Sequence, residues 1–230
     1  MSYYLKYEPK ALSEVVISSN LVKAKLNGYI AGNNKQPLIL HGTYGTGKTT
    51  IARLLPDAIE GKKADVEYLK ATEFSTVSDV NTLFSAPPSY YQLFTLNNQK
   101  RFYLISNEIN FTPKAAIAFR DIVDNACAHT QLIFTTNDLE RIDRGLRDRS
   151  ICLHIEPAKP NDWLERAKMI LANEGVSVSD NMLLDVLHTQ LQTNTSNRKL
   201  LEVLENFVYE VKNKGQGGNT VLTTPELMPA

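Results

Sequence analysis

Gly42-Thr43-Tyr44-Gly45-Thr46-Gly47-Lys48-Thr49 is the stretch that decides the fold. It fits the pattern G-x-x-x-x-G-K-[ST]. Before it stands a short apolar run, Pro37-Leu38-Ile39-Leu40-His41, and after it a segment of helical composition, Lys48–Leu55. Strand, glycine loop and helix in that order give the pattern its meaning. Gly42, Gly45 and Gly47 let the backbone curl so that the N–H groups of Thr43, Thr46 and their neighbours converge on phosphate oxygens. The helix that starts there presents its unpaired N–H groups and the positive end of its dipole. Lys48 is then expected to bridge the outer phosphates and the Thr49 hydroxyl to ligate Mg²⁺, with Thr50 completing the binding segment. ATP with Mg²⁺ is the implied ligand.

Outward from the loop, apolar runs of strand length recur at Val66–Leu69, Phe102–Ser106, Leu132–Thr136 and Ile151–Ile155. Helical candidates lie between them at about 79–85 and 113–127, and Leu21 to Tyr29 lie along another that stops near Gly32-Asn33-Asn34. Lys6–Lys10 is polar and broken by proline, which argues against helix. Pro87–Tyr91 reads as a loop. Strands alternating with helices predict an α/β fold, a mainly parallel sheet with helices on both faces, over residues 1–156. After Pro157 and Pro160 only helical spacing remains, in Trp163–Glu174, Ser179–Leu191 and Asn197–Lys212. A small all-helical lid domain is expected over 157–213, and a flexible glycine-rich tail over 214–230.

Composition narrows the function. The 230 residues carry 25 Lys+Arg and 25 Asp+Glu, a balance that argues against a protein coating nucleic acid over its whole surface. Two cysteines, Cys127 and Cys152, exclude a disulfide-stapled module and a cysteine zinc cluster. The four histidines show no metal spacing. Nothing resembles a membrane span or a leader, so a soluble cytoplasmic protein is expected, or one of host-cell cytoplasm if the source is viral.

A second polar element follows the third apolar run. Arg101–Ser106 leads into Asn107-Glu108, where a P-loop ATPase needs an acidic residue to organise Mg²⁺ and a group to orient water. Glu108 can polarise a water. Asn107 can hydrogen-bond a metal-bound water but brings no charge, so ATP binding is a safer expectation than rapid hydrolysis.

Together these residues resemble the ATPase subunits of sliding-clamp loaders, the replication factor C small subunits and their phage relatives, within the AAA+ class. Lys6–Lys10 and Leu12–Val16 are similar to the family's opening stretch, which implies Tyr7 and Val16 at the adenine pocket. Lys70-Ala71-Thr72-Glu73 is similar to the stretch after the family's second strand, and Asn107–Thr112 matches its acidic motif in part. Leu132–Asn137 resembles the strand carrying sensor 1, which implies that Asn137 holds the attacking water or feels the γ-phosphate. Leu146-Arg147-Asp148-Arg149-Ser150 occupies the place of the arginine-finger motif and implies Arg149, with Arg147 as the competing choice, acting in trans on a neighbour's ATP. Thr195–Leu201 resembles the start of the lid's sensor 2 helix and implies Arg198.

The resemblance implies an ATPase that couples ATP binding and hydrolysis to loading a ring-shaped partner on DNA. Its partners would be other AAA+ subunits, a sliding clamp or another replication protein, and primed DNA. The family's helical collar domain is not expected within this chain. Two alternatives stay open: an ATP-gated assembly subunit with little turnover, and a helicase loader or branch-migration motor. Arg53, Lys62-Lys63 and Lys100-Arg101 are candidate DNA contacts, or simply a solvated face.

Overall fold

The structure, a computed structural model, describes residues 2–70, 76–78, 102–107, 112–126, 130–191 and 196–215. The chain divides into two compact units. One is Lys10–Glu156; the other combines Met1–Pro9 with the chain from Pro157 onward.

Among the described residues the first unit holds a five-stranded sheet of β1 (Leu38–His41), β2 (Val66–Lys70), β3 (Phe102–Asn107), β4 (Thr130–Thr136) and β5 (Ile151–His154), in the order β2-β3-β4-β1-β5. Every pairing is parallel. Parallel strands need long crossovers, which helices supply. α3 (Lys48–Glu60), α4 (Pro113–Ala126) and α5 (Arg144–Asp148) lie in the connections after β1, β3 and β4, and α2 (Asn20–Ile30) leads into β1. The expected helix at 79–85 and the loop at Pro87–Tyr91 lie outside the described residues.

Burial on both faces explains why the strands read as unbroken apolar runs. Leu38 and Leu40 of β1 pack with Val22, Leu26 and Tyr29 of α2 and with Ile51 and Leu55 of α3. Ile39 points the other way, into a cluster with Phe119 and Val123 of α4, Phe134 of β4 and Leu146 of α5. Phe119 and Phe134 meet edge to face with ring centroids 5.8 Å apart. Burying each such ring contributes roughly 1.5–3 kcal/mol.

α3 runs beyond Leu55, through Pro56, to Glu60, where Gly61 in the left-handed region (φ +64°) ends it. An interior proline normally costs a helix bond. Here Leu54 and Leu55 are buried beside it and Ile59 packs against the core one turn later, so packing overrides local propensity.

The second unit contains α1 (Tyr3–Lys6), α6 (Pro160–Asn173), α7 (Asp180–Leu191) and α8 (Asn197–Gly215). α6 packs on α7, α8 packs on both, and α1 packs on α8. Pro160, which stands before the expected helix Trp163–Glu174, is the first residue of α6, where a missing N–H costs nothing. The Asp162 carboxylate accepts the Lys159 N–H at 3.3 Å. Gly175 (φ +72°) closes α6 with paired bonds, from the Val176 N–H to the Leu171 carbonyl and the Gly175 N–H to the Ala172 carbonyl.

Three expectations need revision. Residues 1–9 group with the helical unit, not with the α/β unit. A short helix occupies Tyr3–Lys6, so the non-helical stretch begins only after Lys6. α8 reaches Gly215, past the expected end of the lid.

Candidate nucleotide site

In a parallel sheet all carboxyl ends lie along one edge, and a crevice forms where connections leave neighbouring strands in opposite directions. The chain leaves β1 through α3 toward β2, and leaves β4 through α5 toward β5. α3 and α5 pack on opposite faces. The switch point is therefore between β1 and β4, and the glycine loop opens from β1 at that place.

Gly42, Gly45 and Gly47 all have positive φ, +139°, +74° and +97°. At Gly42 a Cβ would also stand 2.5 Å from the Ile155 carbonyl oxygen, so only glycine can start the loop this close to the end of β5. Gly47 is the residue before α3 and gives it no side-chain cap, while its carbonyl accepts the Ile51 N–H at 2.8 Å. The loop is pinned from inside: Thr46, buried, donates its hydroxyl to the Thr43 carbonyl at 3.1 Å. Lys48 is buried too, and its Nζ donates to the carbonyls of Gly42 (2.9 Å) and Thr43 (2.6 Å). Thr43, Tyr44, Gly45 and Thr49 face solvent, and Thr50 is half-buried. A glycine-shaped cradle with a buried ammonium fits a polyphosphate.

His41 and His154 pair in register across β1 and β5, and their rings stack with centroids 5.1 Å apart. Burial, then the neighbouring His154, then Lys48 push the His41 pKa below its usual 6.5, which keeps that ring neutral near pH 7. The sequence carries no sign of this pair, because only strand register brings the two residues together.

On the other side of β1, Thr135 of β4 aligns with both Leu40 of β1 and Asn107 of β3. The end of β3 thus stands two strand spacings, about 10 Å, from β1. The Asn107 backbone closes β3; its side chain and the whole of Glu108 lie outside the described residues. Asn137 follows β4 directly, in a bend fastened by Thr136. The Thr136 hydroxyl accepts the Asp138 N–H at 3.1 Å and donates to the Asp138 carbonyl at 3.0 Å. Asn137 consequently sits on the carboxyl edge, between the strand carrying the loop and the strand carrying Asn107.

Arg147 and Arg149 of the β4–β5 connection are engaged in ion pairs. Asp143 caps α5 by accepting the Leu146 N–H and takes a two-pronged contact from Arg120. That guanidinium, with the Leu146 N–H, holds the Asp143 carboxyl below the usual range. Arg149 donates from Nε to both oxygens of Asp124 on α4 (2.8 and 3.0 Å) and from Nη1 to the Gly145 carbonyl. Arg147 pairs with Glu140 at 2.9 Å, and Arg144 is exposed.

Val16, half-buried, lies in this same unit after a 3₁₀ turn at Leu12–Glu14. Tyr7 and Arg198 belong to the helical unit. The Tyr7 hydroxyl donates to Glu174 at 2.8 Å and its carbonyl accepts from Arg166 at 2.8 Å. Arg198 is the second residue of α8 and lies over the Tyr4 ring. Lys62 and Lys63 are exposed just beyond α3; Lys100 and Arg101 lie outside the described residues.

No family model matches the chain. Over 182 residues it is 27% identical to replication factor C small subunit 2 of Pyrobaculum arsenaticum, covering 79% of this chain and 56% of that protein. The replication factor C small subunit of Staphylothermus marinus matches at 26% over 184 residues, 80% of this chain and 55% of that protein. The chain resembles the replication factor C small subunits. It spans about half the length of these relatives, and the replication factor C likeness runs over more residues than Lys10–Glu156 contains, so it reaches into the helical unit. Among solved structures, a RuvB mutant of Thermotoga maritima matches with a TM-score of 0.65 at 17% identity, over 89% of this chain and 68% of that one. The two share a fold. Among the described residues no helix is long and apolar enough to cross a membrane, and no cluster of His, Cys, Asp and Glu could hold a metal ion.

Proposed function

We propose that this chain is an ATP-binding subunit of clamp-loader type, acting in DNA replication, in which ATP binding and hydrolysis drive the placing of a ring-shaped partner on DNA. One observation carries the reading: the strand–glycine loop–helix of residues 38–60, with Lys48 buried inside it, opens at the sheet's switch point. The likeness to replication factor C small subunits supports the choice of machine.

In this reading Gly42–Thr50 bind the phosphates, with Lys48 against the outer ones, and Thr49 and Asn107 serve Mg²⁺. When bound, Mg²⁺ neutralises charge on the phosphates. Tyr7 and Val16 contact the base. Glu108 accepts a proton from the attacking water, and Asn137 orients that water or senses the γ-phosphate. Arg149 acts on the ATP of a neighbouring subunit, and Arg198 reports nucleotide state from the helical unit. Other subunits of the same class, a sliding clamp and primed DNA are the partners.

A second reading, an assembly subunit that binds ATP and turns it over poorly, is favoured by Asn107. A charge missing beside the metal slows phosphoryl transfer more than it weakens ATP binding. Steady-state ATPase with and without primed DNA tests the first reading. Lys48→Ala is expected to abolish turnover and the heat of ATP binding, and unchanged turnover overturns the assignment. Asn107→Asp is expected to raise the single-turnover rate where Asn107 limits it. Co-purification with a helicase in place of a clamp would move the chain to a helicase loader.

A further inference from the structure

α1 is a single turn, too short to be stable by itself, so side chains must hold it. Glu205 of α8 accepts from the Tyr3 N–H (3.2 Å) and the Ser2 hydroxyl (3.4 Å). Glu174 at the end of α6 accepts from Lys6 and Tyr7. Between these anchors Tyr4 meets Arg198. The guanidinium carbon lies 4.5 Å from the Tyr4 ring centroid, and Nη2 donates to the Tyr4 hydroxyl at 3.2 Å. The base of Arg198 is fixed as well: Asn197, just before it, accepts the indole N–H of buried Trp163 at 3.1 Å.

The chemistry of this partner sets Arg198 apart from Arg149. A carboxylate, as Asp124 does for Arg149, takes in-plane N–H groups and offsets the positive charge. Tyr4 takes the face of the guanidinium and a single N–H at its hydroxyl, and carries no charge. Among the described residues no carboxylate pairs with Arg198. Its charge and its remaining in-plane donors are therefore still able to serve a phosphate. Holding a long side chain still before its ligand arrives lowers the entropy lost on binding.

We propose that Tyr4 is a positioning residue for Arg198: its ring holds the guanidinium on α8 with its charge left to serve a phosphate, and so makes the N-terminal helix part of nucleotide sensing. This rests on the reading of Arg198 as the sensor given above. Tyr4 is 40% exposed, so replacing it leaves the core intact.

The test is calorimetric titration of the full chain with ATPγS and with ADP, both with Mg²⁺. Tyr4→Leu is expected to weaken ATPγS about two- to five-fold, the worth of an exposed cation–π contact, and to leave ADP unchanged. Tyr4→Phe, which keeps the ring face, should stay near wild type. Arg198→Ala should cost on the order of ten-fold in ATPγS affinity, and adding Tyr4→Leu should cost nothing more. Wild-type binding by Tyr4→Leu, equal weakening of both nucleotides, failure of Phe to rescue, or a further loss in the double variant overturns the role of Tyr4 while leaving Arg198 as the sensor. An Arg198→Ala chain with the wild-type ratio of ATPγS to ADP affinity overturns the sensor reading itself, and the role of Tyr4 with it.

Discussion

At Gly42 the backbone leaves β1 with φ +139° while the Ile155 carbonyl sits where a Cβ would go. Two independent constraints meet at one residue, one torsional and one steric. Gly42→Ala is therefore expected to destabilise the α/β unit by about 1–3 kcal/mol and to abolish ATP binding. A urea titration and a nucleotide titration on the same variant check this; a variant that melts and binds like wild type would remove the steric argument. Lys48 shows a different residue-scale logic. Its ammonium is buried and satisfied by two loop carbonyls, so it shapes the loop as well as carrying charge. The glycine spacing made the loop legible in the sequence. The close approach of Ile155 was not, because that residue arrives from a strand far along the chain.

At the scale of elements, the β4–β5 connection is held by ion pairs. Arg120 clasps Asp143 at the start of α5, and Arg149 at its end reaches Asp124 on α4. The Arg149 side chain is 39% and that of Asp124 50% exposed, so water screens their pair and it adds little to stability. Arg149→Ala should leave the melting temperature nearly unchanged yet abolish turnover in an assembly where the finger acts in trans. Mixing Arg149→Ala chains, which keep the loop, with Lys48→Ala chains, which keep the finger, is expected to restore part of the ATPase rate. A mixture no more active than its components would argue against Arg149 serving a neighbour. The sequence placed an arginine-rich turn here, but which arginine meets which acid depends on α4 standing beside α5. Likewise α6 begins at Pro160 and α3 continues past Pro56, two places where position within the helix and burial decided what proline does.

At the scale of the whole molecule, the chain passes between its two units at Pro9–Lys10 and again at Glu156–Pro157. The N-terminal segment is fastened to the helical unit through Glu174, which accepts from Lys6, Tyr7 and Lys212. Lys6 first, then the Tyr7 hydroxyl and Lys212, lower the Glu174 pKa from 4.5 to about 2. The folded state thus takes up this proton less readily than the unfolded chain. The stabilisation is complete above pH 4.5 and disappears as the pH falls from 4.5 toward 2. Thermal melts of wild type and Glu174→Gln should differ by a constant amount above that window and converge within it; a gap that ignores pH would show that the carboxylate charge is not what holds the segment. By itself the sequence determined the phosphate loop, the alternation of strands and helices and the change to all-helical spacing after Pro157, since each is written in neighbouring residues as glycine placement or apolar period. Only the tertiary structure decided the strand order, the stacking of His41 on His154, the partners of Arg149 and Arg198, and the union of residues 1–9 with the helical unit. Those depend on contacts between segments far apart in the chain, which no local pattern encodes.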